Sequence, residues 1–359
     1  MTSTSDSGNG KPGRVPVLIT APLGDELAGR IAAAEPDRIE LLYRPDLLPP
    51  ARYPGDYHGD PAWRQTPEQA AAWRALLDRA EILLDFDDLL GEHPLVVSPH
   101  LRWVQTTSAG VGQLVKRLGL VESDLLVTTT SGVHAGPLTE FVFAALLYHT
   151  KRLAHLQAEQ RSHHWERFAG RELRGQTMAI VGLGRIGREV ARIARCFGMT
   201  VWAMAREARA DREATDGVDR LFARAELAAM LAGADCVVLC VPHTPDTEGM
   251  IGAAELAALK PDVVLVNIAR GVVIDEEALI DVLRQGRIGL AALDVFATEP
   301  LPADSPLWDL PNVLINPHSA STAETEPATI VTRFIENLGY YLDGDVQRMG
   351  PVLNKALLY

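Results

Sequence analysis

Cysteine is scarce in this chain: 3 among 359 residues, at Cys196, Cys236 and Cys240. An odd, sparse set without metal-ligand spacing argues against a disulfide framework and a cysteine metal centre, and no metal is expected. It fits reduced thiols in a cytoplasmic protein. Cys236 and Cys240 lie in the apolar run Asp235–Val241 and read as small core residues. Positive charge is also short, with 34 Lys and Arg against 47 Asp and Glu, a formal net charge of −13. That balance disfavours a nucleic-acid binder and an electrostatic membrane anchor, both of which need clustered cations. No apolar run reaches membrane-spanning length. The polar residues 1–12 have no apolar h-region and read as a disordered lead-in, not a secretory signal.

Hydrophobic residues make up 47% of the chain, enough for two packed domains. Short β-rich runs alternate with Ala/Leu/Arg-rich helical stretches, the pattern of an α/β protein with parallel sheets flanked by helices. Strands are expected over Val15–Thr20, Glu81–Phe86, Leu101–Thr106 and Leu125–Thr130. A long apolar helix over Pro137–Ala154 reads as a linker between domains, and His155–Leu173 as a polar, irregular stretch. A second α/β unit follows, with strands over Gln176–Val181, Thr200–Met204, Cys236–Val241, Val263–Asn267, Gly289–Asp294 and Val313–Asn316. The tail reads as helix from Thr322 to about Leu342.

The strand before Gly182 leads into Gly182-Leu183-Gly184-Arg185-Ile186-Gly187, and a helical stretch comes next. Strand, G-x-G-x-x-G and helix is the setting of a dinucleotide site. Gly182 permits the tight turn, Gly184 lets the backbone approach a pyrophosphate, and Gly187 lets helix and strand pack closely. The helix N-terminus offers N–H groups to the phosphates. The end of the next strand discriminates NAD from NADP, because an acidic residue there binds the ribose hydroxyls. Ala205 stands in that place, followed by Arg206 with Arg209 nearby, which favours NADP(H) over NAD(H). Glu207 is a counter-signal, since a shift of one residue makes it the ribose ligand.

Three later segments each carry one polar side chain suited to reducing an α-keto acid. They are Asn267-Ile268-Ala269-Arg270-Gly271, Asp294-Val295-Phe296-Ala297-Thr298-Glu299-Pro300 and Asn316-Pro317-His318. Arg270 has a planar fork that clamps a carboxylate and polarises the neighbouring carbonyl. An imidazole, His318, can give a proton to the oxygen on which charge grows. Glu299 offers a carboxylate, which, if hydrogen-bonded to that ring, would orient it and favour its protonated form.

The ordered set of the glycine loop, Cys240-Val241-Pro242-His243-Thr244-Pro245-Asp246-Thr247, and the Arg270, Glu299 and His318 segments resembles the D-isomer-specific 2-hydroxyacid dehydrogenases. The resemblance is firm from about Leu101 to Ser321 and looser before it. It implies two Rossmann-like/flavodoxin-like domains with the active site in the cleft between them. The substrate domain is then discontinuous, 13–121 with 322–359, and the dinucleotide domain spans 122–321. It further implies that Arg185, Ile186, Arg206, Pro242, Thr247, Ile268, Ala269 and Asp294 join the three glycines in holding the cofactor, Asp294 at the nicotinamide carboxamide. Ala109 and Gly110, in Thr106–Gly112, fall in the substrate loop. The implied reaction is reduction of a small 2-keto acid of the glyoxylate/hydroxypyruvate type to its D-2-hydroxy acid. The implied assembly is a homodimer, with Trp165 a candidate to reach the partner's site. The alternative is a dinucleotide-binding corepressor or scaffold without significant turnover.

Overall fold

A computed structural model describes residues 13–205 and 217–359. The chain divides into two units, one running to Thr130 and resuming over Glu324–Tyr359, the other Ser131–Ala323.

The first unit is built on a parallel sheet of β1 (Val15–Ile19), β2 (Ile39–Leu42), β3 (Ile82–Leu84), β4 (Trp103–Gln105) and β5 (Leu126–Thr128). Their order, β2-β1-β3-β4-β5, is the flavodoxin-like one. β3 and β4 are short and wholly buried, and β1 is buried over Val17–Ile19, as expected of strands covered on both faces. The family resemblance implies a boundary at Val121, but Leu126–Thr128 pairs in register with Trp103–Gln105. The first unit therefore extends past that point, because β5 completes its sheet. The C-terminal helix Glu326–Leu342 joins the same unit through side chains far apart in sequence. Phe334 and Tyr341 stack on Trp103 with ring centroids at 5.2 and 5.4 Å, and Asn337 Nδ2 donates to Gln105 Oε1 at 2.8 Å.

Among the described residues the second unit holds seven parallel strands: β6 (Thr177–Val181), β7 (Thr200–Met204), β8 (Arg220–Phe222), β9 (Cys236–Leu239), β10 (Val263–Asn267), β11 (Ile288–Leu293) and β12 (Val313–Ile315). The order β12-β11-β10-β9-β6-β7-β8, read from β8, is the doubly wound 3-2-1-4-5-6 arrangement with one further strand. Alternation along β6 splits two cores. Met178 and Ile180 pack with Leu138, Val142 and Leu146 of the helix Ala135–Thr150, while Ala179 and Val181 pack on the opposite side with Met230, Leu231 and Leu279. The expected fold class is thus realised in both units.

The apolar helix is shorter than expected and belongs to the core of the second unit. It ends at Thr150, and Arg152 adopts a left-handed conformation at φ 54°. A separate helix, Leu153–Arg161, then occupies part of the stretch expected to be irregular. It buries no residue, so the sequence offered no apolar face by which to recognise it. No helix among the described residues is long and apolar enough to cross a membrane.

Candidate active site

All three candidate catalytic residues lie in the second unit, on turns that follow the C-terminal ends of neighbouring strands β10, β11 and β12. In open α/β sheets this is the edge where ligands bind. β10 ends at Asn267, whose side chain shapes the next turn: Oδ1 accepts from Ala269 N at 3.0 Å and Nδ2 donates to Arg270 O at 3.2 Å. Arg270 is half-buried, and its guanidinium donates to Ala269 O at 2.7 Å. Burial pushes the Arg270 guanidinium below its ordinary range, against the opposing pull of Glu299 and Asp294. A cation thus desolvated, with two carboxylates near enough to influence it, is prepared to receive an anion.

Gly271 follows, and a Cβ there would overlap the Phe296 carbonyl and Ala297 N. This glycine lets the Arg270 turn close onto the turn leading to Glu299. Nothing in the sequence around Gly271 discloses this role. Asn267 and Asn316 were likewise unassigned, since neither polar turn residue declares its partner in the sequence.

β11 delivers Asp294, which is 2% exposed. Its Oδ1 accepts from Asn316 Nδ2 at 2.6 Å and Ala320 N at 3.0 Å, and its backbone O accepts from His318 N at 2.9 Å. Asp294 therefore anchors the turn that carries His318. The histidine has φ 52°, a conformation rare for a residue with a side chain and here held by that anchoring. Its Nδ1 lies 2.8 Å from Glu299 Oε2, while Glu299 Oε1 accepts from Phe296 N at 3.0 Å. With Nδ1–H facing the carboxylate, Nε2 is the nitrogen left for a substrate. Burial raises the Glu299 pKa, but the His318 and Phe296 hydrogen bonds and the His318 and Arg270 charges outweigh it, so the carboxyl sits below its ordinary value.

The glycine loop lies where the strand order reverses, between β6 and β9. Gly182 has φ 109°, and a Cβ on it would meet Val241 Cγ1 at 2.9 Å and the Cys240 carbonyl at 3.0 Å. Cys240 Sγ donates to Gly182 O at 2.9 Å, and burial pushes the thiol up to about 12. This cysteine braces the loop, a task that its place in an apolar run did not disclose. A Cβ on Gly187 would overlap Gly182 O, whereas one on Gly184 meets nothing within 4 Å. The open space at Gly184 and the uncapped first turn of helix Arg185–Cys196 fit a pyrophosphate.

The remaining candidates divide by what their side chains already do. Arg185 NH1 donates to Ser131 O at 2.8 Å, and Ile186 packs against the core. Ile268 and Ala269 are core residues, 5% and 3% exposed; Ile268 N donates to Leu239 O at 3.1 Å, and Ala269 N and O are engaged with Asn267 and Arg270. Thr247 Oγ1 donates to Pro242 O at 2.7 Å and accepts from Thr244 N at 2.9 Å, which commits this hydroxyl to its own turn. Ala205 is buried at the end of β7, while Arg206, Glu207 and Arg209 lie outside the described residues. Ala109 and Gly110 belong to the first unit, between β4 and the helix Gly112–Arg117.

A doubly wound sheet with a glycine loop at its switch point defines a dinucleotide-binding α/β protein. Residues 143–320 match the family model for the D-isomer specific 2-hydroxyacid dehydrogenase, NAD binding domain. The chain is 33% identical over 316 residues to D-3-phosphoglycerate dehydrogenase of Mycobacterium leprae (strain TN), an alignment covering 87% of this chain and 54% of that protein. It is 35% identical over 256 residues to glyoxylate reductase of Korarchaeum cryptofilum (strain OPF8), covering 69% and 75%. A D-isomer specific 2-hydroxyacid dehydrogenase from Xanthobacter autotrophicus Py2, solved in complex with NADPH and MES, superposes with a TM-score of 0.74 at 28% identity, covering 97% of this chain and 100% of that one. The chain belongs to the D-isomer-specific 2-hydroxyacid dehydrogenase family. It spans about half the length of the mycobacterial relatives.

Proposed function

We propose that this protein is an NAD(P)-dependent oxidoreductase that interconverts a small 2-keto acid and its D-2-hydroxy acid, with glyoxylate- or hydroxypyruvate-type substrates. The observation that carries this reading is the 2.8 Å contact of His318 Nδ1 with Glu299 Oε2, next to a half-buried Arg270. The Arg270 guanidinium binds the substrate carboxylate and draws electron density from the C2 carbonyl. His318, protonated, donates from Nε2 to the C2 oxygen as charge develops there, and in the reverse direction neutral His318 accepts that proton. Glu299 holds the imidazole by Nδ1 and stabilises its charged form.

Gly182, Gly184 and Gly187 with the backbone of Arg185 and Ile186 are assigned to the dinucleotide phosphates. Asp294 is assigned to the nicotinamide carboxamide, for which Oδ2 is unused by the Asn316 and Ala320 bonds. When bound, the nicotinamide ring supplies or accepts the hydride. Preference for NADP(H) is part of the proposal, supported by Ala205, which has no carboxylate to offer the ribose. A homodimer is also proposed, supported by Trp165 at 93% exposure and the exposed Leu153 and Leu156 on the helix after the core.

The test is oxidation of NADPH and of NADH with a panel of 2-keto acids. We expect turnover on small substrates and a higher kcat/KM with NADPH. Cofactor binding without turnover across the panel would reject the enzyme and favour a dinucleotide-binding scaffold. A strong NADH preference would reject the cofactor assignment alone.

A further inference from the structure

We infer that the helix Leu153–Arg161 and the turn after it form a site for a divalent transition-metal ion of the zinc type, built from Glu159, His164 and Glu166. One donor atom from each of these side chains lies within 4.8 Å of the others. The spacing alone gave no sign of this, because the backbone must double back to bring the residues together. At the helix C-terminus His163 takes φ 53°, and His163 N and His164 N donate to Gln160 O at 3.2 Å and Glu159 O at 3.0 Å. That left-handed turn lays the His164 ring against the last helical turn, where Nδ1 meets Glu159 Oε2. Glu166 follows two residues later, on the far side of Trp165.

The surroundings hold this turn against its helix. Phe168 packs edge-on to His155 at a centroid distance of 5.2 Å, and the Arg152 guanidinium lies 4.8 Å over the same ring. His155 is one helical turn before Glu159 and so shares its face. Glu159 thus lies on the helix face that the turn packs against, with its carboxylate directed at the His164 imidazole.

One imidazole nitrogen and two carboxylates are a borderline donor set. It suits Zn2+, or Co2+ as its spectroscopic substitute. Calcium asks for an all-oxygen cage, and cuprous ion for thiolate. Rotation of the partly exposed side chains closes the observed spread toward zinc bond lengths of about 2.0–2.2 Å. The ion would neutralise two like charges held close together, and would tie the turn bearing Trp165 to the helix. None of the three residues belongs to the glycine loop or to the Arg270, Glu299 and His318 set, so the site is independent of the proposed reaction.

The test is competition of the purified full chain with a chromophoric chelator for Zn2+, alongside H164A and E166Q. We expect stoichiometric uptake by the parent chain that is lost in both variants, whose melting temperatures without metal match the parent's. Co2+ should give visible ligand-field absorption in the parent and not in H164A. Absence of stoichiometric uptake by the parent, or its retention in either variant, overturns the site.

Discussion

Glu299 is held at both oxygens: Oε2 faces His318 Nδ1 at 2.8 Å and Oε1 accepts the Phe296 N–H at 3.0 Å. A carboxylate pinned in this way cannot rotate, so the ring that it contacts has a fixed orientation. The two side chains remain partly open, at 43% for His318 and 36% for Glu299, so a small molecule can reach the imidazole.

Glu299→Gln keeps the shape and removes the charge. It should lower kcat by about 100-fold or more, in the range attributed to general acid–base groups. Steady-state kinetics with the keto acid checks this.

The same carboxyl has an acid-stability signature. Its folded pKa is below the ordinary 4.5, so its stabilising contribution is fully present above that value and is lost as pH falls through the folded pKa. Partial exposure screens the effect, which should be modest. Melting temperature against pH should therefore fall less steeply in Glu299→Gln than in the parent chain below about pH 4.5.

Arg270→Lys retains a positive charge but replaces a planar fork with a point charge. The loss of a charged hydrogen bond, about 1.5–3 kcal/mol, predicts a fall in kcat/KM of roughly 10- to 150-fold for the keto acid. The dissociation constant of the dinucleotide should change little. Fluorescence titration of NADPH together with initial rates separates the two.

Gly184→Ala and Gly187→Ala should fail differently. At Gly184 a Cβ meets no protein atom within 4 Å, so the variant should fold with a near-parental melting temperature but bind dinucleotide more weakly. At Gly187 a Cβ overlaps the Gly182 carbonyl, so the helix must shift. Overpacking of this kind costs about 1–3 kcal/mol and should appear directly as a lower melting temperature. Thermal denaturation with and without dinucleotide distinguishes these outcomes.

Gly271→Ala tests how the active-site turns are joined. The added methyl would overlap the Phe296 carbonyl and push the Arg270 and Glu299 turns apart. A destabilisation of about 1–3 kcal/mol should accompany a loss of kcat/KM, although Gly271 has no side chain to contact substrate.

Strands with strong patterns were legible at close to their true bounds: Thr200–Met204 and Val263–Asn267 match as read. The edge strands Ile39–Leu42 and Arg220–Phe222 were not read, being short and less regularly apolar. The helix Leu153–Arg161 was missed because it buries nothing. The glycine loop stood out because each glycine answers a separate backbone demand. Cys240, Asn267 and Asn316 did not, because their tasks depend on carbonyls and side chains contributed by other strands.

By itself the sequence determined the chemistry on offer: a glycine turn between strand and helix, and a cation, a carboxylate and an imidazole in order along the chain. Residue type and local periodicity carry that information. Only the tertiary structure decided that Glu299 and His318, 19 residues apart, share a hydrogen bond, and that Gln105 and Asn337 join across 232 residues. Parallel strands pair through long crossovers, so which turns become neighbours is set by strand order and close packing rather than by distance along the chain.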